Sequence, residues 1–187
     1  MGVIRPVFTR ADLEVMPEDG RRYEVLEGDL AVSPAPKRRH QRTVSRLDLL
    51  FARAEAAGYG EGYVAPFDVC FDESNVVEPD GLFVCRGRLT IVTEDDVRGA
   101  PDLIAEVLSP STRARDLGAK LRTYARFGVR FYWVLDPDTG TVRVFTLGPE
   151  GYAEAPPLGR GDLLTCPLFP GIEVPVADLF PQGRQQA

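Results

Sequence analysis

The chain has 187 residues, of which 44% are hydrophobic and 27% are charged, a composition typical of one globular domain. Its formal net charge of -6 argues against a protein that coats nucleic acid by bulk electrostatics, so any such contact must be local. The three cysteines lack CxxC spacing, which argues against structural zinc and indicates reduced thiols. Because we find neither a charged leader before an apolar stretch nor a run of about 18 apolar residues, we expect a soluble cytoplasmic protein.

The first part of the chain predicts a short helical turn and a β-hairpin. Thr9 precedes an amphipathic segment at 10–16 and is a suitable helix cap. The segment 23–32 has β-forming arms on either side of a glycine-centred turn, which is the pattern of a hairpin.

A long amphipathic helix is predicted from about 38 to 57, where apolar residues recur at three- and four-residue spacing. Arg39, Arg42 and Arg46 share another face of this helix. Both a phosphate-contacting face and an ordinary solvated arginine face fit this pattern. The single histidine, His40, is interpreted as a polar residue at the helix start rather than as a metal ligand or a base.

Three strands are predicted in the middle of the chain, at 63–71, 76–84 and 102–108. The second contains Asp80 and the third contains Glu106. The proline before Asp80 would forfeit a ladder hydrogen bond, which indicates irregular backbone at that point. Because apolar β-forming runs normally bury their side chains, each acid needs a partner, a proton or a metal ion.

The next segment predicts a helix between two further β-elements. Residues 109–112 stop the third strand and cap a helix that closes at Gly128, and strands follow at 130–136 and 141–147. The order strand, helix, strand across 102–135 favours a right-handed parallel crossover, whereas the hairpins on either side are antiparallel. We therefore expect an α/β fold of the mixed α+β kind, with a mixed central β-sheet flanked by helices and extra β-hairpins.

One domain is predicted over 1–187, with its core at about 15–147. From 148 onward the chain is rich in proline and glycine and has only short apolar fragments, which favours a peripheral arm. Residues 182–187 are expected to form a frayed tail.

Two acids and a lysine together predict a divalent-metal site. Mg²⁺ prefers oxygen ligands, which the carboxylates of Asp80 and Glu106 and the carbonyl of Val107 can supply. Lys120, one of only two lysines in the chain, would stabilise negative charge that develops on a phosphate. Glu24, which lies among apolar neighbours in the first β arm, is the candidate fourth member.

Each of these residues also has an ordinary structural explanation. Asp80 follows a proline and fits a turn acid. Lys120 stands four residues after Asp116, so an exposed helix ion pair worth about 0.3–0.5 kcal/mol would also account for it. Glu106 is the hardest to explain in this way, because an acid in a strand covered on both faces has few routes to solvent.

Several segments closely resemble the Uma-type family of putative restriction endonucleases over about 15–147. The resemblance implies the PD-(D/E)XK restriction-endonuclease-like fold and Mg²⁺-dependent cleavage of DNA, with Asp80 and Glu106 as metal-binding acids and Glu24 as an additional acid. The usual lysine of that superfamily falls on Leu108 here, and the resemblance assigns its role to Lys120. The matching segments are 23–30, 32–36 with His40, 78–80, 101–112, and Lys120 with Tyr124 and 128–133.

Two functions from different classes follow. The first is a Mg²⁺-dependent endonuclease acting on DNA, with Mn²⁺ as a substitute metal and a homodimer or higher homo-oligomer to cut both strands. The second is a catalytically inactive nuclease-fold interaction module. It is favoured by the acidic net charge and by the lack of a recognisable target-recognition domain.

Overall fold

The structure is a computed structural model that describes residues 7–180, so the tail predicted at 182–187 lies outside the described residues. The predicted long helix and the helix that closes at Gly128 are both present, the second interrupted by a π turn. The helices are α1 (Arg10–Leu13), α2 (Arg38–Ala56), α3 (Arg113–Arg115), α4 (Leu121–Phe127) and α5 (Val176–Leu179), with a π turn at Asp116–Lys120 and a 3₁₀ helix at Arg86–Ile91.

The strands form two larger sheets and one small one. The larger sheets have the orders β11-β10-β9-β8-β6-β3 and β2-β1-β5-β4-β7, and β12 pairs with β13. The strand bounds are β1 (Arg22–Leu26), β2 (Asp29–Ser33), β3 (Gly60–Val64), β4 (Asp68–Asp72), β5 (Asn75–Val77), β6 (Gly81–Cys85), β7 (Asp96–Arg98), β8 (Leu103–Val107), β9 (Phe131–Asp136), β10 (Thr141–Gly148), β11 (Gly151–Glu154), β12 (Leu163–Leu164) and β13 (Val174–Pro175).

The six-stranded sheet confirms the predicted mixed α+β architecture. Strand β8 pairs with β9 in parallel, and the helical segment 113–127 connects them. The other neighbours in this sheet are antiparallel. Every residue of β8 and β9 is buried, as expected for central strands covered on both faces. The fold has a restriction-endonuclease-like core.

Two predicted strands are each divided in the structure. The segment 63–71 contributes to β3 and β4, and 76–84 contributes to β5 and β6, with the two halves in different sheets. The reason is that Pro66 and Pro79 have no N–H to donate to a ladder, so pairing stops at each proline. Asp80 therefore lies where the chain passes from one sheet to the other.

Hydrophobic clusters cover both faces of the six-stranded sheet. On one face, α2 packs through Leu47 and Phe51 against residues that include Phe83 and Trp133. On the other face, α4 and the five-stranded sheet form a second cluster that includes Ile104. Side chains alternate along a strand, so Glu106 projects toward the same side as Ile104.

The segment after 147 differs from the predicted peripheral arm. Strand β11 extends the six-stranded sheet, and Leu164, Phe169, Val176 and Leu179 are each at most 2% exposed within the first cluster. Short apolar fragments separated by prolines show no periodicity, so their burial against the sheet is decided only by tertiary packing. Within the described residues, no helix has both the length and the apolar character needed to cross a membrane.

Candidate active site

The four residues predicted as catalytic lie together in the structure. Lys120 Nζ is 2.7 Å from Glu24 Oε1 and 2.8 Å from Glu106 Oε1. Asp80 Oδ2 accepts a hydrogen bond of 2.7 Å from the N–H of Val107, the residue after Glu106. All four side chains belong to residues that are at most 2% exposed. The cluster therefore joins β1, the link between β5 and β6, β8 and the helical segment after β8.

The exposed-ion-pair explanation for Lys120 is wrong. Lys120 is 1% exposed, and its partners are the carboxylates of Glu24 and Glu106 on two strands. The turn-acid explanation for Asp80 fails for a similar reason, because this residue is 2% exposed and bonded to the backbone of a central strand. Both side chains are held in a buried polar network.

The π turn at Asp116–Lys120 aligns the cations that reach Glu24. A π turn brings residues five apart onto one face of a helix, and Arg115 and Lys120 have this spacing. Arg115 Nη2 lies 3.3 Å from Glu24 Oε2, while Lys120 contacts Oε1. One turn later, the hydroxyl of Tyr124 donates a 2.8 Å hydrogen bond to Glu106 Oε1, the same oxygen that Lys120 contacts.

Asp80 is surrounded by hydrogen-bond donors. Arg22 Nη1 is 3.0 Å from Oδ1, and His40 Nε2 is 3.1 Å from Oδ2. Burial alone would raise the pKa of Asp80, but the hydrogen bond from His40, the charge on Arg22 and the Val107 N–H together lower it. The contact that the structure shows for Val107 is thus made by its N–H, whereas the sequence prediction concerned its carbonyl.

Glu106 has the opposite electrostatic environment. Burial raises its pKa to about 8, with Lys120 opposing the rise and the charges of Asp116, Asp80 and Glu24 adding to it. Burial lowers the pKa of Lys120, but the charges of Glu106, Glu24 and Asp116 outweigh this effect and raise it. At neutral pH the lysine is therefore charged while Glu106 largely holds a proton.

A cleft of about 960 Å³ lies over this cluster. Arg22, His40 and Glu78 line it and also contact the buried acids or their partners, so they separate the cleft from the cluster. The cleft lining also includes the hydroxyl-bearing residues of 109–112. The basic residues along the cleft are Arg21, Arg22, Lys37, Arg38, Arg39 and His40.

The predicted nucleic-acid-binding arginines divide between the cleft and the outer surface of α2. Arg39 lines the cleft and lies 3.4 Å from the carboxylate of Asp138. Arg42 is exposed and Arg46 is half-buried, further along the helix than the cleft lining. Their contact with nucleic acid stays a prediction.

Comparison with known families identifies the chain. It matches the model of the Uma2 family, described as "Putative restriction endonuclease", over residues 10–177. The chain belongs to the Uma2 family. A crystal structure described as a putative nuclease belonging to DUF820 from Anabaena variabilis ATCC 29413 has the same fold, with a TM-score of 0.75 and 19% sequence identity over 92% of this chain and 97% of that chain. A comparison with curated proteins found no match.

In this Uma2-family chain, the sequence reasoning missed three basic members of the site. His40 was assigned only to the helix start, yet its ring contacts Asp80, and its Nδ1 is buried without a hydrogen-bond partner among the described residues. Arg22 precedes Glu24 by two residues and so projects from the same face of β1. Arg115 precedes Lys120 by five. The strand spacing was the one signal that could have indicated Arg22.

The site contains oxygen donors suited to a divalent metal ion but no ready-made group of ligands among the described residues. Within residues 7–180, no three His, Cys, Asp or Glu side chains form a ready-made metal-binding group, because cations lie between the carboxylates. One buried carboxylate oxygen, Asp116 Oδ1, nevertheless lacks a hydrogen bond within the described chain, and Glu24 Oε2 has only its 3.3 Å ion pair with Arg115. Unsatisfied buried oxygens of this kind are the donors that a hard cation requires.

The charges of the cluster also fit a divalent cation. Five carboxyl groups, when all are ionised, face three permanently charged side chains, which leaves two negative charges without a partner. Burial is the main cause of the raised pKa of Glu106, and the charges of Asp116, Asp80 and Glu24 raise it further. The carboxyls are Glu24, Glu78, Asp80, Glu106 and Asp116, and the cations are Arg22, Arg115 and Lys120.

Proposed function

We propose that this protein is a Mg²⁺-dependent endonuclease that hydrolyses DNA phosphodiester bonds through a PD-(D/E)XK-like site, with Mn²⁺ as a substitute metal. The observation that carries the proposal is the buried convergence of Glu24, Asp80, Glu106 and Lys120 behind a basic cleft. Membership of a family described as "Putative restriction endonuclease" supports the same activity.

Asp80 and Glu106 are the residues that would hold the metal ion. Asp80 is already kept ionised by its donors, whereas Glu106 must release its proton before it can act as a ligand. When bound, the metal would supply an activated water and would stabilise negative charge on the phosphate. Asp116, whose Oδ1 has no hydrogen-bond partner within the described chain, and Glu24, whose oxygens contact only cations and the Glu78 N–H, are the next candidate ligands, directly or through water.

Lys120 and Tyr124 act on Glu106 and on the developing charge. Both donate to Glu106 Oε1, so they fix the orientation of that carboxyl group. A buried ammonium stabilises added negative charge more strongly than an exposed one, because little water is present to screen it. We therefore assign Lys120 the electrostatic role in the reaction.

The cleft is assigned to the DNA backbone. Cationic side chains such as Arg21, Arg38 and Arg39 line it, and arginine binds phosphate oxygens through two parallel hydrogen bonds. Such local contacts are compatible with the net charge of -6. Cleavage of both strands would suit a homodimer, which we include in the proposal.

The proposal is tested by metal binding and by cleavage together. We expect Mg²⁺ or Mn²⁺ to raise the melting temperature of the protein, since a ligand that binds only the folded state stabilises it by about 2.7 kcal/mol at 100 times its Kd. The same metals should support cleavage of plasmid DNA that EDTA abolishes. Asp80→Ala should remove both effects, while Asp95→Asn, at an exposed acid, should retain both.

One result would favour the interaction module instead. If millimolar Mg²⁺ or Mn²⁺ leaves the melting temperature of the wild type unchanged, and no cleavage of duplex or single-stranded DNA occurs, the nuclease proposal is wrong. If Asp80→Ala cuts as well as the wild type, the assignment of the site is wrong.

A further inference from the structure

Arg22 lies between the cleft and the buried acids. Its Nε is 2.7 Å from Glu78 Oε1 and its Nη1 is 3.0 Å from Asp80 Oδ1, so one guanidinium spans both carboxylates. Nη2 takes part in neither contact. Since Arg22 and Glu78 also line the cleft, a molecule that enters the cleft meets this guanidinium before it can reach Asp80.

The hydrogen bonds of Asp80 limit where a metal ion can approach it. Oδ2 accepts from the Val107 N–H, which the central strand β8 holds in place, and from His40. Oδ1 accepts from Arg22 alone among these donors. A cation that approaches Asp80 from the cleft therefore meets Arg22 at Oδ1, and two positive charges on one oxygen repel each other.

Glu78 limits how far Arg22 can move. The Glu78 carboxylate contacts Nε of Arg22, and its backbone N–H donates a 3.1 Å hydrogen bond to Glu24 Oε1. If Nη1 leaves Asp80, the contact at Nε still keeps the guanidinium at the cleft. Its terminal nitrogens then face the space that we assign to the DNA backbone.

We propose that Arg22 is a further catalytic residue that competes with the divalent metal for Asp80 and, once displaced, binds the DNA phosphate in the cleft. This inference rests on the proposed function. The planar guanidinium suits both states, because it binds a carboxylate or a phosphate through the same two-pronged geometry. Arg22 thus pairs with Asp80 and Glu78 in the metal-free protein and places its positive charge against the substrate phosphate in the metal-bound protein.

The competition between Arg22 and Mn²⁺ for Asp80 is measured without DNA, by isothermal titration calorimetry of Mn²⁺ into the full chain. Arg22→Gln should lower the Kd for Mn²⁺ by about tenfold, equivalent to about 1.4 kcal/mol, because the competing cation is removed. Arg22→Lys keeps the charge and should bind Mn²⁺ as the wild type does. Arg21→Gln is the matched control, because Arg21 lines the same cleft but pairs with the exposed Asp19. The Kd of this variant for Mn²⁺ should equal that of the wild type.

The phosphate role is measured by DNA cleavage at saturating Mn²⁺. Arg22→Gln should lower kcat/KM on the order of 100-fold despite its tighter metal binding, and Arg22→Lys should recover part of that loss. Opposite changes in metal affinity and turnover would not arise from a purely structural role. If Arg22→Gln fails to fold by circular dichroism, the double variant Arg22→Gln/Glu78→Gln removes the unpaired carboxylate and carries the same two expectations.

The outcomes separate this inference from the proposed function. If the wild type binds Mn²⁺ through Asp80 but folded Arg22→Gln binds it no more tightly, or cleaves DNA as well as the wild type, the role of Arg22 is refuted and the nuclease proposal stands. If the wild type binds no Mn²⁺, both the role of Arg22 and the metal-dependent nuclease proposal are refuted.

Discussion

The pH dependence of folding stability gives a direct test of the electrostatics of Glu106. In the metal-free folded protein, burial raises the pKa of Glu106 from its ordinary 4.5 to about 8. Between these two pH values the folded protein holds a proton that the unfolded chain has released. The contribution of Glu106 to the free energy of unfolding is therefore fully present below about pH 4.5 and is lost as the pH rises through about 8.

The size of the effect follows from the pKa. At about 1.4 kcal/mol for each tenfold change in proton affinity, the rise to about 8 corresponds to as much as about 5 kcal/mol across this window. Glu106→Gln has nearly the same shape, and its amide oxygen can still accept hydrogen bonds from Lys120 and Tyr124. Because an amide does not titrate, the variant should lack this loss and should be more stable than the wild type above pH 8.

The assay is urea-induced unfolding in EDTA at intervals from pH 5 to 9 for wild type, Glu106→Gln and the exposed control Glu150→Gln. Other groups that titrate in the window, such as Asp68 with a pKa of about 6, cancel when wild type and variant are compared. Equal pH slopes for wild type and Glu106→Gln would show that Glu106 is not a buried acid with a raised pKa. The control should follow the wild type.

Two further predictions concern the cations. Lys120→Met should lower the free energy of unfolding at pH 7 by about 3–5 kcal/mol, because two buried carboxyl groups lose their shared hydrogen-bonding cation; urea unfolding checks this, with the exposed Lys37→Met as control. An unchanged urea midpoint would contradict it. Replacement of Arg39, Arg42 and Arg46 together by Gln should weaken DNA binding, measured by fluorescence anisotropy. The slope of log K against log salt concentration should become shallower by about 1 for each of these arginines that contacts phosphate. Binding equal to that of the wild type would instead indicate a solvated face.

Local patterns were sufficient for the main elements of the fold. The helix predicted at 38–57 is observed as Arg38–Ala56, because its periodic apolar stripe is a property of neighbouring residues. The parallel crossover between β8 and β9 was also predictable, since a helix between two buried strands has few other arrangements. Irregular backbone was predicted at Pro79 but not at Pro66, and neither proline indicates which sheet each half of a divided strand joins.

The acids of the site could be recognised from the sequence alone, because a carboxylate within an apolar strand is anomalous in any fold. The partners of those acids were decided by the tertiary structure. Arg22 is 58 residues from Asp80 in the chain, and arginines are so common at protein surfaces that no local pattern distinguishes one that will become buried against an acid. Likewise, the apolar fragments after 147 are buried because they pack against one face of the six-stranded sheet. That face is formed by segments distant in the sequence, so the fragments themselves do not indicate their burial.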